Sequence, residues 1–497
     1  MSRPLQLLAD QAFSRTAGAP LVPGNAVRLL KDGCENYPSW LEAINNAKHW
    51  IHFETYILHD DKIGNVFADA LAERARAGVK VRLLVDWFGN MLKTRPKFWR
   101  KLRQAGVEAR SFGYPSIDSP LGWVSRDHRK SLTIDGRVAF VSGLCVGDDW
   151  TDDGHEAQRD TGVMIEGPAV ADVDAAFAEA WATTGSRVPA EELRSVTDIE
   201  PAGDVSLRVI ATMPAMAGVF KLDQLVASVA RDTLWVTDAY FIGVSAYINA
   251  LIAAARDGVD VRLLVPGTVD VFGVGAMSRA GYRALLEGGV RIFEWNGAMI
   301  HAKTAVADGR WARVGSTNAN INSWFGNWEM DVAIEDERFG RQMMAMFERD
   351  LENSTEVVLK ARKMRPVVER RRRERFDALR TRRRTTARAA SAGAIRMGRT
   401  LGAALTRRRE VGPAEAISLF WSSLAFLGFG VLFLLYPKSI SIPLGVLAVW
   451  FAVTGLFQAA RLYYQETKTR EATEVVESVG EPTRARKSAR PSQRRSA

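Results

Sequence analysis

The chain has 497 residues, 47% of them hydrophobic, which is enough for two or three domains with cores of their own. Its formal net charge is +10, but residues 360–410 alone carry 19 Lys/Arg against 4 Asp/Glu. The tail from Arg461 carries 9 Lys/Arg against 5 Asp/Glu, and the charges of residues 411–460 cancel. Residues 1–359 therefore carry a net charge of −9. The basic charge therefore belongs to one segment and does not indicate a nucleic-acid-binding catalytic region. The two cysteines exclude a disulfide framework and a Cys-rich zinc site.

Helices and apolar strands alternate from the first quarter of the chain onward. Helical spacing at Trp40–Ala47 is followed by an aromatic and β-branched strand at Trp50–Leu58. A second helix is predicted at Val66–Ala77, and Gly78 separates it from the strand Val79–Val85. This alternation predicts an α/β layered domain whose strands are covered on both faces.

The same order of elements recurs later in the chain. Ala77–Val85 is echoed by Asp257–Val265 with a shift of 180 positions, and His52–Leu58 is echoed by Thr237–Gly243. One helix–Gly–strand match is common, but several elements in the same order favour duplication. We predict an N-terminal extension followed by two copies of one α/β unit, at residues 1–19, 20–200 and 201–359.

The sequence after the second copy changes in character. An Arg-rich connector, residues 360–415, precedes two apolar stretches of about 20 residues, Ala416–Tyr436 and Ile440–Ala459. Each is long enough to cross a bilayer core of about 30 Å at about 1.5 Å per residue. We predict a C-terminal transmembrane hairpin rather than two buried helices. Residues 460–497 form a basic tail that we predict to be disordered.

The charges that flank the predicted hairpin set its orientation. Both flanks are basic, whereas the tip carries only Lys438, so both termini are predicted to face the cytoplasm. The Arg-rich connector would contact anionic lipid, at about 1 kcal/mol per basic residue near the surface. A solvated linker helix and a nucleic-acid arm are the alternatives for this segment.

Two segments carry His-x-Lys followed by Asp five residues after the Lys, and they are 173 positions apart. On a strand, residues two apart project from one face, so each imidazole lies beside an ammonium group. Packing of the two copies face to face would bring two His and two Lys to one cleft. The residues are His128, Lys130 and Asp135 in the first copy and His301, Lys303 and Asp308 in the second.

This set of side chains suits chemistry on a phosphodiester. Two ammonium groups neutralise the charge that gathers on the phosphoryl oxygens in the transition state. One imidazole can attack phosphorus, while the other protonates the leaving oxygen and later deprotonates the acceptor hydroxyl. The intermediate would be a covalent phosphohistidine. No metal or cofactor is expected, and activity should survive strong chelation.

The paired motifs resemble those of the phospholipase D superfamily. The second copy continues as Gly315-Ser316-Thr317-Asn318, similar to the Gly-Ser-x-Asn phosphate contact of that family. Gly24-Asn25 and Glu54-Thr55-Tyr56-Ile57 are similar to bacterial cardiolipin synthases, and the resemblance covers about residues 20–355. It implies a duplicated phospholipase D-like α/β/α domain with pseudo-twofold symmetry. The family's two spans usually precede the catalytic region, whereas the predicted hairpin follows it here.

The resemblance also implies roles for single residues. His128 would be the nucleophile and His301 the general acid and base, with Lys130 and Lys303 at the phosphate. Asp160 and Glu329 would orient the imidazoles, but which carboxylate serves which histidine stays open. Phosphate contacts are expected from Ser316, Asn318 and Ser142, and structural roles from Asp135, Asp308, Gly143 and Gly315. The chain departs from the family pattern at Cys145, where an Asn is usual and the thiol is a poorer donor.

The resemblance implies transfer of a phosphatidyl group between phospholipids, which gives cardiolipin and a released head-group alcohol. Hydrolysis of phospholipids shares the same intermediate and remains an alternative. A nuclease is disfavoured by the acidic catalytic region and the hairpin, and an inactive membrane scaffold by the intact His and Lys residues. The expected partners are phospholipids and an anionic membrane surface, not nucleic acid. The expected location is the cytoplasmic side of the bacterial inner membrane.

Overall fold

A computed structural model describes residues 11–91, 93–115, 125–152, 156–271 and 274–359. All of these except Pro115 belong to one compact unit. No helix within these ranges is long and apolar enough to span a bilayer. The predicted connector, hairpin and tail lie outside the described residues.

Within the described ranges, fifteen strands form a single mixed sheet. Their bounds are β1 Val22–Lys31, β2 Trp50–Thr55, β3 Lys80–Asp86, β4 Glu108–Phe112, β5 Lys130–Ile134, β6 Val138–Ser142, β7 Thr161–Glu166, β8 Val205–Thr212, β9 Thr233–Thr237, β10 Asp260–Pro266, β11 Arg291–Trp295, β12 Thr304–Ala307, β13 Trp311–Gly315, β14 Glu329–Glu335 and β15 Ser354–Glu356. The α-helices that pack on the sheet include α1 Asp32–Asn46, α2 Lys62–Arg76, α3 Trp87–Asn90, α4 Pro96–Gln104, α5 Val170–Ala182, α6 Gly218–Val229, α7 Ser245–Arg256, α8 Val274–Glu287, α9 Ile321–Phe325 and α10 Glu337–Glu352. The α/β prediction is confirmed.

The order of the strands is symmetric about the centre of the sheet. It runs β15-β11-β10-β9-β12-β13-β14-β8-β1-β7-β6-β5-β2-β3-β4, with β1 and β8 antiparallel neighbours in the middle. Outward from β1 come β7, β6, β5, β2, β3 and β4, and outward from β8 come their counterparts β14, β13, β12, β9, β10 and β11. In both halves the outer three of these strands are parallel, and the inner strands are antiparallel.

The pairing register corrects one of the predicted correspondences between the repeats. The Asp135 amide donates to the Trp50 carbonyl, and the Asp308 amide donates to the Thr233 carbonyl in the same way. Trp50 therefore corresponds to Thr233, and β9 ends at Thr237, where the predicted echo of His52–Leu58 begins. The predicted correspondence was wrong by two residues. A two-residue shift in register keeps every side chain on the same face, so the apolar pattern could not reveal it.

Alternate residues of the strands face different cores. In β6, Ala139 and Val141 belong to a central cluster that α5 and α10 cover, with contributions from both repeats. Phe140 faces the opposite side, where α1 and α2 close a separate cluster of the first repeat. A third cluster, covered by α6 and α7, fills the equivalent place in the second repeat. The central core thus joins the two repeats beneath the motif strands β5 and β12.

Candidate active site

Each motif histidine is attached by its backbone to the other repeat. The His128 amide donates to the Trp328 carbonyl at 2.9 Å, one residue before Glu329. The His301 amide donates to the Arg159 carbonyl at 2.7 Å, one residue before Asp160. These two short parallel bridges place each histidine next to the carboxylate of the opposite repeat.

The carboxylates and histidines pair in a crossed arrangement. His128 Nδ1 lies 2.9 Å from Glu329 Oε2, and His301 Nδ1 lies 2.7 Å from Asp160 Oδ2. Both carboxylates are completely buried. An ionised carboxylate only accepts, so Nδ1 donates in each pair and Nε2 is the nitrogen left for chemistry. This geometry supplies the pairing that the sequence left open.

Burial and the nearby ammonium groups keep the imidazoles neutral. Burial lowers the pKa of His128 to about 4, against the opposing effect of Glu329. Burial and the Lys303 charge likewise lower the pKa of His301. The carboxylates behave in the opposite sense: burial favours their protonated forms, but the adjacent imidazoles and ammonium groups hold the pKa values of Glu329 and Asp160 below their usual range. Both dyads therefore consist of a carboxylate and a neutral ring near pH 7.

The two lysines lie against the histidines of their own motifs. Lys130 Nζ donates to the His128 carbonyl at 2.5 Å, and Lys303 Nζ donates to the His301 carbonyl. Lys303 Nζ is also 2.9 Å from His301 Nδ1. Burial lowers the pKa of Lys303 to about 8, although Asp160 opposes the shift. The ammonium form still predominates at pH 7, so Lys303 places a positive charge beside His301.

Both histidines line one cavity of about 470 Å³, a volume in the range of small-molecule sites. Two tyrosines line it as well. The Tyr56 ring meets the His128 ring edge-on at 5.1 Å, and the Tyr240 ring meets the His301 ring at 5.8 Å. The cavity therefore has one His–Tyr pair from each repeat.

The predicted phosphate contacts divide into two groups. Asn318 lines the cavity, and so does Cys145, which is 173 positions before it. Ser316 is instead part of the Glu329 site, where its Oγ donates to Glu329 Oε2 at 2.5 Å and accepts from the Met330 amide. Ser142 Oγ donates to the Leu144 carbonyl at 3.3 Å. Both serine hydroxyls are thus occupied by protein groups in the structure.

The two motif glycines lie where a side chain would collide with the site. A Cβ on Gly143 would come within 2.2 Å of Asp160 Oδ1, and one on Gly315 within 2.4 Å of the Met330 carbonyl oxygen. Gly143 therefore leaves room for the carboxylate that holds His301. Gly315 allows β13 to approach β14, the strand that carries Glu329.

The motif aspartates lie at the far ends of their strands, away from the cavity lining. Asp135 and Asp308 adopt left-handed conformations, with φ of 55° and 51°. Their carboxylates accept hydrogen bonds from three consecutive backbone amides at the starts of β2 and β9. Those amides belong to Lys48, His49 and Trp50 in the first repeat and to Arg231, Asp232 and Thr233 in the second.

Sequence reasoning missed the buried arginines of the site. Arg129, the middle residue of the first motif, has no exposed surface, and its guanidinium donates to the carbonyls of Ala176, Thr212 and Glu329. Arg159 forms a two-bonded ion pair with Asp350 across the repeats. The sequence did offer one signal: a charged residue stands directly beside an otherwise apolar strand. When such a residue is buried with the strand, it needs buried hydrogen-bond partners.

Comparison with known proteins agrees with this geometry. The family described as "Cardiolipin synthase, PLD-like domain" matches residues 40–181 and 226–351, more than half of the chain. A cardiolipin synthase of Alkalihalophilus pseudofirmus is 32% identical over 71% of this chain and 71% of its own length. The chain belongs to this family. It is a phospholipase D-type phosphatidyltransferase of the cardiolipin synthase type.

Further relatives extend the comparison of sequence and fold. Cardiolipin synthase 2 of Bacillus anthracis is 32% identical over 66% of this chain and 65% of its own length. The solved structure of a phosphatidylserine synthase from Haemophilus influenzae covers 75% of this chain and 97% of that protein, with a TM-score of 0.56 at 14% identity. At that identity the likeness shows the shared fold.

Proposed function

We propose that this enzyme transfers a phosphatidyl group from one phospholipid to a hydroxyl of a second through a phosphohistidine on His128. One observation carries the proposal: two imidazoles, each held at Nδ1 by a carboxylate, line a single cavity beside two ammonium groups. Nε2 is left for reaction on both rings, so one cavity can hold a nucleophile and a proton donor together.

The first step forms the covalent intermediate. His128 Nε2 attacks phosphorus, and the bond from phosphorus to the head-group oxygen breaks. His301 must carry a proton at Nε2 to give it to that oxygen; the anionic phosphodiester favours this imidazolium, although burial lowers the pKa of the free ring. Lys130 and Lys303 stabilise the charge on the non-bridging oxygens.

The second step returns the enzyme to its starting state. His301, now neutral, takes the proton from the acceptor hydroxyl while that oxygen attacks phosphorus. The phosphorus–nitrogen bond to His128 breaks, and the product is a phosphodiester between two lipids. Glu329 stabilises the positive charge on the His128 ring while the intermediate exists, because its carboxylate accepts from Nδ1.

The arrangement of the whole chain completes the proposal. The N-terminal extension, 1–19, precedes the two repeats, 20–200 and 201–359, which form the catalytic unit. The connector, 360–415, and the hairpin, 416–459, attach that unit to the cytoplasmic side of the bacterial inner membrane, and 460–497 is a cytoplasmic tail. The hydropathy and charge pattern of the sequence supports this arrangement.

The products test the reaction. Full-length protein in vesicles should convert phosphatidylglycerol alone to cardiolipin and glycerol, as identified by mass. Phosphatidylethanolamine should then be added to show whether it serves as a second donor. Phosphatidic acid as the main product, with water as the acceptor, would contradict transfer and favour hydrolysis.

The covalent intermediate tests the roles of the two histidines. His128→Ala and His301→Ala should each remove nearly all turnover, and the double variant should lose no more, since the two residues act as a unit. Denaturation of the working enzyme at alkaline pH, followed by peptide mapping, should show phosphate on His128. Phosphate on His301 would reverse the roles, and substantial activity in either single variant would disprove the two-histidine mechanism.

A further inference from the structure

Three exposed apolar side chains lie at the mouth of the catalytic cavity. Ile321 is 60% exposed, Val271 48% and Met277 47%, and all three line the cavity that holds His128 and His301. Large apolar side chains grouped at exposed positions mark an interaction surface. We call these three residues the apolar rim.

The exposed apolar surface continues outward from the rim. Phe325, at the end of α9, is 40% exposed, and its carbonyl accepts a hydrogen bond from the Ala215 amide. Met216, which follows Ala215 in the sequence, is 45% exposed. Neither Phe325 nor Met216 lines the cavity, so the exposed apolar surface extends beyond it.

The first repeat contributes charged and polar side chains to the lining of the same cavity. They are Lys93, Arg126, Asp149 and Gln158. Lys93 Nζ lies 3.8 Å from an Asp149 oxygen, and both side chains are about half exposed or more. Two basic residues and one acidic residue stand among them, so the first repeat brings a small excess of positive charge to the cavity that the exposed apolar rim borders, which suits an anionic phospholipid surface.

The apolar rim is fixed to the catalytic residues through Tyr240. The Asn320 side chain donates to the Tyr240 carbonyl at 3.2 Å, and the Tyr240 hydroxyl donates to Asp270 Oδ1 at 2.7 Å. Asn320 immediately precedes Ile321, and Asp270 immediately precedes Val271. The tyrosine that meets the His301 ring therefore also holds the residues directly before Ile321 and Val271.

We propose that the apolar rim inserts into the acyl-chain region of the bilayer, so that the cavity opens directly onto the membrane. The choice of a lipid partner rests on the proposed function. A phospholipid then reaches the histidines while its chains stay in an apolar environment, and the exposed rim leaves water. A protein bound at the same place would cover the entrance to the cavity, which a lipid surface supplies with substrate.

A fluorescent label at position 321 tests the insertion. The full chain carrying Cys34→Ser and Ile321→Cys is labelled with nitrobenzoxadiazole and placed in phosphatidylglycerol–phosphatidylethanolamine vesicles. Cys145 is buried, and protein with Cys34→Ser alone measures any labelling of it. Val229→Cys is the matched control, because Val229 is 48% exposed and precedes β9 at the end of that strand away from Tyr240.

Insertion predicts opposite behaviour of the two labels. The label at 321 should be quenched by doxyl lipids and protected about fivefold or more from aqueous iodide, whereas the label at 229 should show the reverse. Equal access of iodide to both labels would overturn the inference. Insertion without phosphatidyl transfer would refute the proposed function alone, and transfer with a water-exposed label at 321 would refute the inference alone.

Charged substitutions in the rim give an independent readout. Turnover on vesicles is divided by turnover on dihexanoyl phosphatidylglycerol below its critical micelle concentration. Ile321→Asp combined with Met277→Asp should lower this ratio about tenfold, because a carboxylate opposes entry into the acyl region. Val229→Asp should leave the ratio unchanged. Equal loss of both rates in the rim variant would overturn the inference, since the rim would then act in the cavity or in folding.

Discussion

At the scale of single residues, the crossed dyads decide which nitrogen of each histidine can react. Glu329 holds Nδ1 of His128 and Asp160 holds Nδ1 of His301, so each repeat supplies the orienting group for the other. In the proposed mechanism the carboxylate also stabilises the cationic ring, so its loss is expected to affect both the tautomer of the imidazole and the charge of the proposed intermediate.

Neutral amides in place of the two carboxylates test this pairing. Glu329→Gln and Asp160→Asn should each lower kcat by roughly 10²- to 10⁴-fold, because an amide can hold the ring in the wrong tautomer. KM should change much less, since the lipid contacts are elsewhere. Asp149→Asn is the control, because Asp149 lines the same cavity and pairs with Lys93. A loss of similar size in the control would mean that any charge change at the cavity impairs turnover.

The sequence predicted the histidines and lysines from the spacing of the two motifs, and its resemblance to the phospholipase D superfamily added Asp160 and Glu329. It could not pair them, because the pairing depends on bridges between residues that are 141 and 201 positions apart. The engagement of Ser316 with Glu329 was likewise not visible in a motif that reads as a phosphate contact. Such contacts depend on the fold, whereas motif spacing records only local strand geometry.

At the scale of secondary structure elements, a buried histidine outside the cavity joins β2 to α5. His52 Nδ1 lies 2.8 Å from Asp174 and Nε2 lies 3.2 Å from Glu192, which also pairs with Arg82. Burial alone would lower the pKa of His52, but the two carboxylates outweigh it and the pKa is raised. Both ring nitrogens can donate at once only in the imidazolium form.

This network predicts a stability term that depends on pH. The pKa of His52 is raised in the folded protein. The stabilisation is therefore complete below the pKa of His52 in the unfolded chain, about 6.5, and is lost as pH rises through its pKa in the folded protein. His52→Gln should lower the free energy of unfolding by about 3 kcal/mol at pH 6, and by less at pH 9. Urea denaturation of the solubilised chain measures both. His49 is exposed, so His49→Gln should change neither the free energy of unfolding nor its dependence on pH. If His52→Gln lowered the free energy of unfolding equally at pH 6 and pH 9, titration of the imidazole would be excluded.

The apolar pattern predicted the elements better than their register. The helix expected at Val66–Ala77 is observed at Lys62–Arg76, and the strand expected at Val79–Val85 is observed at Lys80–Asp86. The correspondence of β2 with β9 required the backbone bonds of Asp135 and Asp308, because matching positions carry unlike side chains, such as His52 and Trp235. Strands that are buried on both faces carry little information on register.

At the scale of the whole molecule, the last strand of the catalytic unit ends before the predicted connector begins at residue 360. The last described strand, β15, pairs with β11 at the edge of the sheet and ends at Glu356. A chain that ends at Leu359 therefore keeps every described strand and helix, and its cores are intact.

Truncation separates catalysis from attachment to the membrane. A chain that ends at Leu359 should fold, keep most activity on detergent-solubilised lipid and lose most activity on vesicles. A chain that ends at residue 415 keeps the Arg-rich connector, so its binding to anionic vesicles should weaken as salt is added, because salt screens exposed charges. Flotation with vesicles and turnover measure the two properties. Equal vesicle activity of the full chain and the chain ending at Leu359 would contradict membrane attachment by the hairpin.

The exchange of carboxylates between the repeats also limits how the two halves can evolve. Asp160 sits against Gly143, and Glu329 sits against Ser316, so the two dyads differ in reach and in their supports. A mutation that suits one half must be compatible with the histidine of the other. Recombination that replaces one repeat with its counterpart from a distant homologue would therefore change one member of both dyads at once, even where each half folds correctly.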